Sequence, residues 1–108
     1  MSISNNVKLV VTVPESHAEA VREAMGKAGA GNLGNYSFCS FSLKGVGRFK
    51  PEKGSHPAIG GIGKLESVEE ERIEAICNRS VLEDVVAAIK KVHPYEEVAL
   101  DIYPLEDN

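Results

Sequence analysis

The chain has no tryptophan and only two cysteines, Cys39 and Cys77, among its 108 residues. Two cysteines do not make the disulfide framework on which many small secreted domains depend. No apolar run approaches the roughly 18 residues of a membrane span. Residues 1–6 lack the basic and apolar regions of a secretory signal. We therefore expect free thiols and a cytoplasmic protein that does not associate with membranes.

An excess of positive charge is also missing, because the net charge is −4. This balance argues against general nucleic-acid binding. Basic residues concentrate in segment 44–64, which contains five lysine or arginine residues and one glutamate. This segment therefore carries a charge of +4, and the rest of the chain carries −8. A basic segment on an acidic body can attract a small anionic ligand or a protein partner. The alternative interpretation is an ordinary solvated loop.

The chain repeats one pattern at an offset of 64 residues. In each copy, alternating apolar residues of the strand type precede a Ser-x-x-Glu sequence, which is typical of a capping box at a helix start. Ser16 with Glu19 opens the first predicted helix, and Ser80 with Glu83 opens the second. The predicted strands are 7–13, 36–43, 70–77 and 98–103, with a short additional strand at 64–68.

The element order β-α-β-β-α-β predicts a ferredoxin-like α+β sandwich, in which two helices cover one face of an antiparallel sheet. We expect a single domain over 1–108 with its core in 7–105. Strand alternation assigns the following residues to the helix side: Leu9, Val11, Val13, Tyr36, Phe38, Ile73, Ala75, Cys77, Leu100 and Ile102. It assigns these to the open face: Lys8, Val10, Thr12, Cys39, Phe41, Glu74, Ile76, Asp101 and Tyr103. The apolar members of the open face predict a homo-oligomer.

A long glycine-rich loop is predicted at 45–63, which holds six of the ten glycines. It is not a Walker A phosphate loop, because Ala58 and Leu65 stand where that motif needs glycine and Ser or Thr. Long loops in compact domains are often functional. Glycine-rich backbone with Arg48 and Lys50 predicts an anion cradle, and the rival interpretation is a static arm between subunits.

Three runs of the sequence together resemble one family. They are 34–42 (GNYSFCSFS), 45–51 (GVGRFKP) and 93–105 (HPYEEVALDIYPL), supported by Pro57, Ile59-Gly60 and Gly63-Lys64. The combination resembles the middle domain of the Nif-three-like family, the dinuclear-metal, hexameric proteins of the YqfO type, in a stand-alone version. The resemblance covers about residues 7–107.

The resemblance implies a fold similar to the CutA divalent-cation-tolerance proteins and the PII nitrogen-signalling proteins, both of which are trimers. A homo-oligomer, most simply a trimer, is therefore expected here. The full-length family holds its two metals on flanking domains with paired histidines. This chain has only His17, His56 and His93, which are far apart in the sequence, so the family's metal-dependent chemistry is not carried over.

Two interpretations of His93 remain open. It is either a C-terminal helix cap enforced by Pro94 or a metal ligand. Cys39 is a second weak metal candidate, although by strand alternation it should not meet Cys77. Glu74 either pairs with Lys8 or a neighbouring subunit, or is a functional carboxylate with a raised pKa. No Ser-His-Asp or nucleophile-elbow pattern is present in the sequence.

The leading hypothesis is a non-catalytic, oligomeric ligand-binding or regulatory module without a cofactor. Its predicted ligand-binding residues are Tyr36, Arg48, Lys50, His93, Tyr95 and Glu96. The first alternative is a CutA-like protein that binds a divalent metal of the copper type. The second alternative is an accessory subunit of a metal-dependent hydrolase.

Overall fold

The computed structural model describes residues 2–108 and consists of one four-stranded antiparallel sheet and two helices. This confirms the predicted α+β ferredoxin-like class. The elements are β1 (Ile3–Pro14), α1 (Glu15–Ala28), β2 (Phe41–Phe49), β3 (Glu66–Asn78), a short 3-10 turn (Arg79–Val81), α2 (Leu82–Val92) and β4 (Leu100–Glu106).

The strand order in the sheet is β2-β3-β1-β4, so the two strands that contain the buried residues of the sheet are its centre. Leu9 of β1 lies opposite Ala75 of β3 on one side and Ile102 of β4 on the other. The odd-numbered residues of both central strands face the helices, as their alternation predicts. They form the core with the inward faces of the helices: Val7, Leu9, Val11, Val13, Ala18, Val21, Met25, Ala30, Ile73, Ala75, Cys77, Val85 and Ile89.

The two predicted capping boxes are wrong. Helix α1 begins two residues early: its N-cap position is Pro14 rather than Ser16, its first residue is Glu15, and no side chain caps it. The Ser16 hydroxyl instead lies 2.8 Å from His17 Nδ1. At the second helix, the backbone N–H of Ser80 donates to Asn78 Oδ1 at 3.0 Å. Asn78 therefore caps a 3-10 turn, and this turn occupies the position that the sequence pattern assigned to the start of α2.

Strand β2 begins at Phe41 rather than at Tyr36. Residues 29–40 form an irregular connection because Gly31 adopts φ +83° and Gly34 φ +57°, values that favour glycine. Tyr36 pairs with Leu33 in an isolated bridge and is 74% exposed, so its predicted place under the helices is wrong. Phe38 is likewise more than half exposed.

The connection between β2 and β3 is shorter than predicted. Gly45–Phe49 belongs to β2, and the short strand predicted at 64–68 is largely the beginning of the long β3. The loop proper is therefore 50–65. The hairpin of β2 and β3 gives the molecule an elongated outline of 46 × 25 × 23 Å.

The open face of the sheet carries both charged and apolar side chains. The Glu74 carboxylate forms ion pairs with Lys8 at 3.7 Å and with Arg72 at 3.0 Å. The interpretation that Glu74 pairs with Lys8 is therefore confirmed. Phe41, Leu43 and Tyr103 lie on the same face and remain substantially exposed. Cys39 lies outside the strands, so its predicted place on this face is wrong. Within residues 2–108, neither helix combines the length and the apolar character needed to cross a bilayer.

Candidate functional site

A cavity of about 320 Å³ opens on the open face, where loop 50–65 meets the chain that follows α2. Its volume lies in the range of small-molecule sites, roughly 300–1,000 Å³. Three elements of the sheet and two connections line it: Thr12, Gly47, Arg48, Phe49, Pro51, Ser55, Pro57, Ala58, Ile59, Glu70, Tyr95, Glu96, Glu97 and Ala99.

His93 supports one wall of this cavity without lining it. Its backbone N–H donates to the carbonyl of Ile89 at 2.9 Å, so His93 ends α2 as a C-terminal cap. Its Nδ1 accepts from the backbone N–H of Tyr95 at 3.1 Å, and its Nε2 lies 2.8 Å from the carbonyl oxygen of Thr12. Because a backbone N–H only donates and a carbonyl only accepts, the ring is the neutral tautomer with its proton on Nε2. Both ring nitrogens are therefore engaged in structural bonds rather than free for a metal.

Tyr95 joins this corner to the sheet. Its hydroxyl donates to Glu70 Oε2 at 2.9 Å, and its ring contacts the edge of Phe49 with centroids 5.6 Å apart. Burial, followed by the hydrogen bond to the negative Glu70 carboxylate, raises the pKa of Tyr95 well above its usual value. The phenol thus remains a hydrogen-bond donor at neutral pH.

Gly47 creates the space that Glu70 occupies. A Cβ atom built at Gly47 would overlap with the Glu70 carboxylate. Glu70 itself is 7% exposed, an unusual degree of burial for a carboxylate. The close approach of a glycine and a donated phenol hydrogen bond together seat this side chain in the cavity wall.

Loop 50–65 is tied down at its base and near its tip. The backbone N–H of Gly63 donates to the carbonyl of Pro51 at 2.7 Å, which closes the base of the loop. The backbone N–H of His56 donates to Glu96 Oε1 at 2.7 Å, which holds the loop against the corner after α2. The loop is therefore a fixed wall of the cavity in this structure.

The predicted site residues separate into two groups. Tyr95, Glu96 and Arg48 line the cavity, and His93 supports it from behind. Tyr36 and Lys50 do not line it: Tyr36 lies in the connection before β2, and Lys50 pairs with Glu52 at 3.3 Å. These two residues are therefore not brought into the site.

Sequence reasoning missed Glu70, Gly47 and Phe49. Glu70 stands in a run of three glutamates, 69–71, at the start of the central part of β3. Alternation in that strand places it on the open face, which is the one signal that could have separated it from its neighbours. The hydrogen bond from Tyr95 comes from 25 residues away and has no local signature.

The charged side chains among the lining residues of the cavity are mostly acidic. Glu70, Glu96 and Glu97 line it against one base, Arg48. Alternation along β2 places the Arg48 side chain on the face opposite to Gly47 and Phe49. The predicted anionic ligand does not fit these walls, because negative side chains repel it.

Neither predicted metal candidate lies in a cluster of ligands. Within residues 2–108, no group of three or more His, Cys, Asp or Glu side chains is placed to hold a metal ion. Cys77 is buried under the helices, where burial raises the pKa of its thiol. The Cys39 thiol lies 3.9 Å from the carbonyl of Ser37.

Relatives of this chain are longer than the chain itself. No family model matches it. A GTP cyclohydrolase 1 type 2 homolog from Halalkalibacterium halodurans is 58% identical over 98 residues, which are 91% of this chain and 26% of that protein. The homolog with the same name from Bacillus subtilis is 54% identical over 99 residues, or 92% of this chain and 26% of its own length. The chain thus spans about a quarter of these curated relatives.

Two kinds of solved structure share the fold. The structure of a Bacillus cereus protein related to NIF3 matches with a TM-score of 0.84 and 48% identity, over 99% of this chain and 27% of that one. The periplasmic divalent cation tolerance protein CutA from Archaeoglobus fulgidus matches with a TM-score of 0.70 and 17% identity, over 95% of this chain and 86% of that one. The second likeness concerns the fold alone.

Proposed function

Because the chain belongs with the NIF3-related proteins, as the counterpart of about a quarter of their length, we propose that it is a non-catalytic module that binds a small molecule and associates with copies of itself. The observation that carries the proposal is the cavity between loop 50–65 and the corner of Tyr95 and Glu96. The proposal does not include the activity in the names of the full-length relatives, because this chain corresponds to only about a quarter of their length.

The shape and lining of the cavity support binding. Its walls are largely apolar, with contributions from Phe49, Pro51 and Ile59, and a few polar groups stand among them. Convergent polar groups in an apolar cavity are the usual composition of a small-molecule site. Hydrogen bonds from the loop to Glu96 and within the loop preform these walls, so a ligand would order little additional chain.

The open face supports self-association. Phe41 and Leu43 are 62% and 50% exposed, and they lie on the same face of the sheet as Tyr103. Large apolar side chains exposed at both edges of an uncovered sheet face, with Lys8, Arg72 and Glu74 between them, favour an interface of mixed apolar and polar character. We propose that this face packs against the same face of further copies in a closed trimer. The cavity opens on this face too, so neighbouring copies would approach its mouth.

Filling the cavity tests the binding proposal. Ala58 is an exposed residue of the loop that lines the cavity, so Ala58→Trp places a large side chain in the ligand volume at little cost to the core. We expect a library of cationic, neutral and anionic metabolites, screened by ligand-observed NMR, to yield compounds that bind the parent protein. Their affinity should fall about tenfold or more in Ala58→Trp.

The matched control is Ala87→Trp, at an exposed position of α2 outside the cavity. This variant should bind the same compounds with unchanged affinity. Compounds that still bind Ala58→Trp, or a library without any compound that binds the parent protein, would contradict the proposed binding function of the cavity.

A further inference from the structure

The Glu70 carboxylate has one oxygen that the protein uses and one that it leaves available. Oε2 accepts the hydrogen bond of Tyr95. No residue between 2 and 108 donates a hydrogen bond to Oε1. Every fully buried side-chain oxygen of the described chain has a hydrogen-bond partner, so Oε1, which has none, is not fully buried. Oε1 is therefore accessible, although only 7% of the Glu70 residue is exposed. Oε1 is the atom of Glu70 nearest to the Cβ position of Gly47. Because both Gly47 and Glu70 line the cavity, we assign the accessible surface of this oxygen to the cavity wall.

A buried carboxylate among apolar walls is costly unless a donor or a cation satisfies it. The protein supplies the Tyr95 hydroxyl as the donor to one oxygen. A ligand that brings a positive charge with N–H donors would satisfy the other oxygen, with the added strength of a charge-assisted hydrogen bond. Its positive charge could also contact the rings of Phe49 and Tyr95, since aromatic faces attract cations.

The remaining charges of the wall point to the same ligand. Glu96 and Glu97 add negative potential. The one base among the lining residues that the structure describes is Arg48, and strand alternation places its side chain on the face opposite to Gly47 and Phe49. A hard divalent metal prefers six or more oxygen ligands, whereas the described residues include no cluster of three metal-binding side chains. An organic cation needs only one carboxylate and an apolar surface.

We infer that the cavity binds a small organic cation, a primary ammonium or guanidinium group on an apolar body, with the charged group on Glu70 Oε1. This inference rests on the proposed binding function of the cavity and names its ligand class. Glu70 is the residue that distinguishes charge, and Phe49, Pro51 and Ile59 accommodate the apolar body.

Three probes of nearly equal size test the inference: 2-phenylethylammonium, neutral 2-phenylethanol and anionic 3-phenylpropanoate. Their dissociation constants are measured by NMR titration of the parent protein. We expect the ammonium to bind about tenfold or more tightly than the alcohol, as a charge-assisted hydrogen bond implies. The largest amide shifts should occur at Gly47, Phe49 and Tyr95, and the anion should bind most weakly.

Glu70→Gln removes the charge and retains an acceptor for Tyr95. In this variant the ammonium should lose its advantage, so that the ratio of its affinity to that of the alcohol falls to about one. Glu69→Gln is the matched control, because it makes the same change one residue earlier, at an exposed position on the opposite face of β3. It should retain the full preference for the ammonium.

Gly47→Ala gives an independent measurement if Glu70→Gln is poorly folded. The new Cβ overlaps with the Glu70 carboxylate and displaces it without altering its charge, so the preference for the ammonium should fall here as well. If Gly47→Ala or a folded Glu70→Gln keeps the full preference, the assignment to Glu70 is overturned.

Other outcomes separate the inference from the function on which it rests. Equal or tighter binding of the alcohol or the anion would overturn the ligand class and leave the binding function intact. Displacement of the bound ammonium by zinc chloride alone, with shifts at the same amides, would overturn it in favour of a metal. Absence of binding by all three probes would overturn the inference. If the metabolite library then yields no compound either, the binding function fails with it.

Discussion

Replacing Phe41 and Leu43 together by lysine is expected to abolish self-association. Each subunit would bring two positive charges to a face that becomes buried on association. In the parent protein, each large apolar side chain contributes about 1.5–3 kcal/mol when it is buried there. Burial of an unpaired ammonium adds a further penalty. Sedimentation velocity should show the parent protein as a trimer and the variant as a monomer at the same concentration.

Leu33→Lys with Tyr36→Lys is the matched control for this variant. It also replaces one leucine and one aromatic residue, both of which are exposed, but in the connection before β2 rather than in the sheet. The control should remain a trimer. A monomeric parent protein, or dissociation of the control alone, would contradict an interface on the open face.

Gly31→Ala is expected to lower the free energy of unfolding by about 3 kcal/mol or more. Gly31 has φ +83°, and a Cβ there would overlap with the backbone of Cys39. The backbone cannot move away freely, because the Gly31 N–H donates to Ile76 at 2.7 Å and its carbonyl accepts from Cys39 at 2.9 Å. Thermal unfolding should shift downward by more than about 10 °C.

Gly34→Ala provides the comparison. Gly34 also has a positive φ, +57°, but no atom lies within 4 Å of its Cβ position. The expected loss is therefore the conformational cost alone, about 1 kcal/mol. Equal losses at the two positions, measured by urea denaturation, would show that the overlap at Gly31 is relieved without cost.

The central strands and the helices were predictable because their patterns report directly on burial. Leu9, Val11, Ile73 and Ala75 stand at alternate positions of their strands, and all lie under the helices. A strand that is covered on one face must place alternate side chains in the core. The ferredoxin-like class then followed from two right-handed β-α-β halves.

The predicted starts of the helices and of β2 were wrong, because tertiary contacts and backbone conformation override the local sequence pattern at the ends of elements. A Ser-x-x-Glu sequence is compatible with a cap, yet α1 starts from Pro14 and the 3-10 turn uses Asn78. Tyr36 and Phe38 alternate as strand residues do, but the positive φ values of Gly31 and Gly34 keep the chain out of the sheet until Phe41. Alternation records which residues could share a face and not where pairing begins.

The candidate site was predicted only in outline. The helix cap predicted at His93 and the glycine-rich loop predicted at 45–63 indicated the two connections that form the cavity. Tyr95, Glu96 and Arg48 do lie in its lining, whereas Lys50 does not. The basic segment 44–64 predicted an anionic ligand, whereas three glutamates and one arginine line the cavity. The net charge of a segment does not reveal which of its side chains turn toward the ligand volume.

The sequence by itself determined the class of fold, the core and the face of the sheet that remains uncovered, since each follows from the periodicity of apolar residues. Only the tertiary structure decided the chemistry of the site. Glu70 is one of three consecutive glutamates, and it differs from the others because Gly47 makes room for it and Tyr95 donates to it. Both contacts join residues distant in the chain, and such contacts leave no periodic trace in the sequence.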